Sequence, residues 1–449
     1  MTSTDAQTRH TLKDRVCQIV DAHAAELEEL ARQIFAQPEL GFKEHRTAAR
    51  VHEWFDRLGL RHADGIALTG TRATLECGSS GPTVAVLGEL DSLLCWEHPE
   101  RDPRTGAVHA CGHNAQIAMM LGAGLALREV APELAGRVML VAVPAEEYVE
   151  LEERLAFRER GQLEFLGGKA EMVRLGAFDD VDVAMMVHAT ARAEDGDIAV
   201  GGTNNGMVAK FVRFLGRTSH AGGAPDQGIN ALSAARVALA GIDAVRETFR
   251  DEDHVRVHPI VTRGGDVVNA IPADVRLEMF CRGATIEAIE LAHRKVDRAL
   301  KAGALALGGA VEITTLPGYL PLLHDRNLVD LFRSNAVAIV GSANVRDKGH
   351  GGGSTDMGDL SHILPTVHPY AGGASGAGHG ADYRIHDYAR AVTNPAKALA
   401  MTVVDLLADD AREAKRIKAE FRPRMTKDTY LAYLRRLSTK TLFRAEDLE

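Results

Sequence analysis

No run of eighteen apolar residues occurs anywhere in the 449-residue chain, which excludes a membrane-spanning helix. Met1 to His10 is polar and lacks the apolar core of a secretory signal. Cysteine is scarce: Cys17, Cys77, Cys95, Cys111 and Cys281 make an odd set of five at irregular spacing. That argues against a disulfide framework and predicts reduced thiols in a cytoplasm. Basic residues are outnumbered, 52 Lys and Arg against 62 Asp and Glu, for a net charge of −10. The deficit argues against nucleic acid as a main partner. There is no internal repeat and no Ser/Pro linker. The Gly-rich stretch Gly349-His350-Gly351-Gly352-Gly353-Ser354 lacks the Gly-Lys-Ser/Thr ending that a phosphate loop needs.

What the chain does have is histidine and glycine, 19 and 43 residues respectively. Its length predicts two domains. Leu12 to Gln37 reads as a helix stopped by Pro38-Glu39-Leu40-Gly41, and Thr47 to Leu58 as a second helix closed by Gly59. Thr71–Cys77, Thr83–Gly88, Val138–Val143 and Val183–Val187 read as strands, the last three buried and alternating with helices such as Ile117–Leu127. That grammar predicts an α/β domain built on a mainly parallel sheet. From Gly206 the order becomes strand Met207–Leu215, helix Ile229–Phe249, strands Val255–Thr262 and Val275–Cys281, helix Ile286–Leu305 and strand Val311–Thr315. This βαββαβ order is ferredoxin-like. We therefore expect residues 204–317 to form an inserted domain, with 1–203 and 318–449 as the discontinuous catalytic domain. The charged tail, Ala411 to Glu449, reads as a solvated helical extension.

Chemistry concentrates in His109-Ala110-Cys111-Gly112-His113-Asn114, in a strand-to-helix crossover. Thiolate and neutral imidazole suit zinc and its neighbours. Alternatively, the stretch is a buried cysteine between two loop histidines. Three apolar strands deliver further candidates at their carboxyl ends: Glu89 and Asp91, Glu146 and Glu147, and His188. Adjacent carboxylates beyond a strand point apart, so one could bind metal while the other faces substrate. A plain surface Glu pair has the same sequence. His220 and His379 lie in glycine-rich segments, either as site residues or as solvated loop histidines.

The succession of these pieces, with Ser219-His220-Ala-Gly-Gly-Ala-Pro and Val267-Val-Asn269-Ala-Ile-Pro, resembles the dinuclear metal aminoacylase–carboxypeptidase family. Within its amidohydrolase branch the chain looks nearest to p-aminobenzoyl-glutamate hydrolases and related dipeptidases, over residues 12–410. The resemblance implies Cys111 as a bridging thiolate, with His113, Glu147, His188 and His379 as the other metal ligands. It implies Glu146 as general base and Asp91 as the carboxylate that orients a ligand imidazole. His220 would be a catalytic and substrate-binding histidine reaching the site of the other protomer. Asn269 and Arg282 would contact the scissile carbonyl and a substrate carboxylate. One or two divalent ions are expected in each protomer, Zn or Mn first and Co or Ni next. A homodimer through residues 204–317 is expected, with that inserted domain also acting as a lid. The pattern is not complete. Asp91-Ser92-Leu93-Leu94 replaces Asp-Ala-Leu-Pro, and Asn114-Ala115-Gln116 replaces Asp-x-His after Cys-Gly-His. The implied reaction is hydrolysis of an N-acyl or N-aroyl amino acid or a dipeptide. The alternatives are hydrolytic deamination of an aromatic amine and a catalytically silent binding protein.

Overall fold

The computed structural model describes residues 3–448, with side chains over 7–447; Met1, Thr2 and Glu449 lie outside them. The chain divides into two compact units. The first runs to Gly202 and resumes in Leu323–Gly349 and Asp359–Lys427; the second comprises Thr203–Leu322, His350–Gly358 and Asp428–Glu449.

The first unit is built on a six-stranded sheet in the spatial order Arg61–Ile66, Gly70–Glu76, Ala135–Val143, Ser79–Glu89, Val183–Met185, Thr366–Val367. The four strands from Ala135–Val143 onwards pair in parallel, and the two at the other end pair antiparallel. Val84, Ala85, Val86 and Leu87 are all buried, as the unbroken apolar run predicts for a strand covered on both faces. Each of the two valines and the leucine contributes roughly 1.5–3 kcal/mol by leaving water. The helix expected over Leu12–Gln37 is two, Ser3–Ala22 and Ala24–Phe35, because His23 leaves helical dihedrals at φ −106°. Both pieces bury their stripe, including Leu12, Val16, Val20, Leu27, Leu30 and Ile34.

The second unit carries an antiparallel sheet in the order Arg256–Arg263, Asp274–Gly283, Gly206–Leu215, Ala310–Pro317, Thr439–Arg444. Its first four strands, with helices Ala231–Val245 and Ile286–Ala306, form the expected βαββαβ arrangement. Strand Asp274–Gly283 alternates partly exposed and buried positions along its length, leaving one face for the helices. The C-terminal segment corrects the sequence reading, which kept 318–449 with the catalytic domain and took Ala411–Glu449 as a solvated helical extension: from Asp428 the chain belongs to the second unit. Thr439–Arg444 pairs with Ala310–Pro317 and satisfies the hydrogen bonds of an otherwise open edge. The preceding helix Lys427–Leu437 buries Tyr430, Leu431, Tyr433 and Leu434. Among the described residues no helix is long and apolar enough to cross a membrane.

Candidate metal centre

The carboxyl ends of parallel strands in the first unit converge, the position where open α/β sheets hold ligands. Glu89 pairs in register with Val143, so Asp91 and the segment Pro144–Glu147 leave neighbouring strands together. His188 follows the adjacent strand Val183–Met185. Between strand and helix, Gly112 adopts φ 94°. A Cβ there would sit 2.6 Å from Tyr383 Oη, so backbone conformation and space both require glycine. Ala145 (φ 51°) and His379 (φ 64°) also take the left-handed conformation. Such backbone costs about 1–3 kcal/mol per residue and persists where surroundings enforce it. Ala145 is held by its N–H, which donates to Glu44 Oε1 at 2.7 Å. Beyond it, Glu146 groups with Glu89 and His113, and Glu147 with Cys111 and His379.

Two groups of three donors share Cys111. Cys111, His113 and His188 form one, Cys111, Glu147 and His379 the other, each with donor atoms within 4.8 Å of one another. Cys111 Sγ lies 3.3 Å from His188 Nε2, and His379 Nε2 lies 3.3 Å from Glu147 Oε1. Hydrogen bonds from the other ring nitrogens orient two of the imidazoles. His113 Nδ1 donates to the Asp91 carbonyl at 3.0 Å, with Asp91 Oδ1 at 3.2 Å. His188 Nδ1 donates to the Ala189 carbonyl at 2.6 Å. Both Nε2 atoms therefore face the cluster, the arrangement that fixes a ligand histidine. Asp91 also accepts the Glu147 N–H through Oδ2 at 2.8 Å. Glu146 Oε2 stands 3.8 Å from His113 Nε2.

Charge is arranged to match. Burial pushes the Cys111 thiol up most strongly of any single influence, but His188 and His113 together outweigh it and draw the group down to about 5. Burial likewise opposes ionisation of Glu147, and His379, His113 and Cys111 together overcome it, holding the carboxyl far below its usual range. His379 in turn is raised to about 12 by Glu147. The protons on these rings stand where cations would. His113 Nε2 and Glu147 Oε1 are buried without hydrogen-bond partners. Orphaned donors beside a thiolate fit a pair of divalent ions.

The other flagged residues fall as follows. His109 is buried with neither ring nitrogen hydrogen-bonded and joins neither group. Within the second unit, His220 and Asn269 are neighbours: His220 bridges to Ala270, and Ala221 N–H donates to the Asn269 carbonyl at 2.9 Å. His220 Nδ1 accepts the N–H groups of Gly222 and Gly223 at 3.2 and 2.9 Å. Its Nε2 must then carry a hydrogen and act as a donor. Arg282 lies near the end of strand Asp274–Gly283, 5.4 Å from the Phe280 ring centroid. Lys169, which the sequence reading did not single out, donates to Glu89 Oε1 at 2.6 Å. Nothing local marks it, because its partner is distant in the chain.

A family profile described as Peptidase family M20/M25/M40 matches residues 85–403. Xaa-Arg dipeptidase of Mus musculus is 28% identical over 446 residues, covering 94% of each chain. One polypeptide of the p-aminobenzoyl-glutamate hydrolase of Escherichia coli (strain K12) is 31% identical, covering 54% of each chain. A Bacillus subtilis structure described as a dinuclear metal binding peptidase from the M20 family superimposes with TM-score 0.62 at 20% identity, over 86% of this chain and 99% of that one.

Proposed function

We propose, from the premise that the chain belongs to peptidase family M20/M25/M40, that it cleaves the amide bond of an N-acyl amino acid or dipeptide carrying a carboxylate. It is a metal-dependent amidohydrolase. The observation that carries the reading is the pair of donor groups joined at Cys111. Cys111, His113 and His188 would hold one ion, and Cys111, Glu147 and His379 the other. The thiolate favours zinc, with manganese next and cobalt or nickel as substitutes. When bound, the ions supply Lewis acidity and lower the pKa of water. Asp91 keeps the His113 ring oriented. Glu146, close by but directed apart from Glu147, takes the proton from the attacking water and returns it to the leaving nitrogen. His220 donates through Nε2 to the carbonyl oxygen as charge develops there, and Asn269 lines the same position. Five free cysteines support a reducing, cytoplasmic setting.

Arg282 supplies the carboxylate clamp, since its planar fork donates two parallel hydrogen bonds. The test is amine release from N-acyl amino acids, dipeptides and their amidated counterparts, with Zn or Mn supplied. The acids should turn over and the amides poorly. Arg282→Lys should raise KM for the acids by roughly ten- to a hundredfold, a loss of about 1.5–3 kcal/mol, and leave the amides unaffected. Equal cleavage of amides and acids refutes the clamp.

A homodimer through the second unit fits the open edge Arg256–Arg263, where Ile260 and Val261 are 60% and 48% exposed. The opposite edge is occupied by Thr439–Arg444. In this reading His220 serves the partner's metal centre. Mixing His220→Ala with Glu146→Gln protomers should then restore activity, to about a quarter of the wild-type level if random exchange gives one intact site in half of the dimers. Verified exchange without recovery argues against completion in trans.

A further inference from the structure

Glu89 ends the central strand of the first unit, and its carboxylate and the Lys169 ammonium are both wholly buried, 2.6 Å apart through Oε1. The other oxygen, Oε2, has no hydrogen-bond partner. It lies 3.2 Å from His113 Nε2, an atom equally without one. His113 Nδ1 faces a main-chain carbonyl, which only accepts, so that nitrogen carries the hydrogen. A metal-bound imidazole is neutral and turns its free lone pair towards the ion, so an ion held by His113 Nε2 would stand beside Glu89 Oε2. The position between the two atoms is one that a proton fills in the absence of metal and that the ion would fill when bound. Bonds of about 2.0–2.2 Å to two tetrahedral donors put those donors roughly 3.3 Å apart, close to the separation here.

We propose that Glu89 is a ligand of the ion held by His113, and that Lys169 occupies Oε1 so that Glu89 binds through Oε2 alone. The donor atoms of Glu89, His113 and Glu146 lie within 4.8 Å of one another. An imidazole Nε2 has a single lone pair, so this is not a third ion. It is the ion of the Cys111, His113 and His188 group, which gains an oxygen donor. Lys169 offsets the carboxylate charge and limits how tightly that ion is held. This inference rests on reading His113 as a ligand.

Metal-stripped protein reloaded with zinc provides the test, by elemental analysis, chelator competition and X-ray absorption. Glu89→Gln keeps an oxygen for Lys169. It should weaken one of the two equivalents by roughly tenfold or more and remove one oxygen from the zinc coordination shell. Lys169→Gln removes the offset and should hold that equivalent at least as tightly as the wild type. Opposite directions in the two variants support the proposal, whereas a merely structural ion pair would weaken metal binding alike in both. Unchanged affinity or unchanged coordination in Glu89→Gln overturns it. If His113→Ala loses an ion while Glu89→Gln loses none, the Glu89 role fails and the ligand reading stands. If His113→Ala keeps both ions, both fail.

Discussion

Glu146→Gln is expected to retain both ions and bind substrate while kcat falls by about 10²- to 10⁴-fold, the range for a lost general base. The expectation rests on how the chain turns at Ala145. Ala145 turns with φ at 51°, and the two carboxylates beyond it join different donor groups. Glu147 is fastened at both ends, by its N–H to Asp91 Oδ2 at 2.8 Å and by Oε1 beside His379 Nε2 at 3.3 Å. Glu146 approaches His113 Nε2 to 3.8 Å and groups with Glu89 and His113 rather than with Cys111 and His379. Glu147→Gln removes a ligand charge and should release metal, so its activity should recover with excess zinc; that of Glu146→Gln should not. Metal content and kcat on the same preparations separate the two. Equal metal loss in both variants dissolves the assignment.

Cys111→Ala should have the larger effect on metal, lowering content from two ions per protomer towards none and abolishing turnover. Cys111 is the residue common to the two sulfur-containing donor groups among the described residues. Removing it takes one donor from each ion and also the negative charge between them. His379→Ala, by contrast, touches one group and should lose one ion. Elemental analysis after dialysis reads the difference. Full stoichiometry in Cys111→Ala refutes a bridging thiolate.

Much of this centre was legible because its pieces carry local signals. Apolar runs ending in Glu89, Val143 and Val187 announce strands, and parallel pairing then collects whatever follows them. The hexapeptide around Cys111 advertised two imidazoles, yet only His113 joins the donor groups; both flank the thiol, and only the fold decides which ring turns inward. Lys169 was invisible because its reason for burial, Glu89, is brought to it by a sheet crossover. The C-terminal strand was hidden for a similar reason. Thr439–Arg444 is mostly exposed and carries the charges of Lys440 and Arg444, which reads as solvated chain until its partner Ala310–Pro317 is known.

That last strand has a consequence for how the protein is made. The second unit takes its edge from a strand far downstream in the sequence, so during synthesis the strand Ala310–Pro317 is complete long before Thr439–Arg444 leaves the ribosome. Closing so long a loop is slow, and the contact is among the most distant in sequence that the unit contains. Until it closes, a row of unpaired N–H and C=O groups is presented to other nascent chains. Expression yield should therefore depend on Thr439–Arg444, and a stop codon just before Thr439 should produce chains that associate through the uncovered edge.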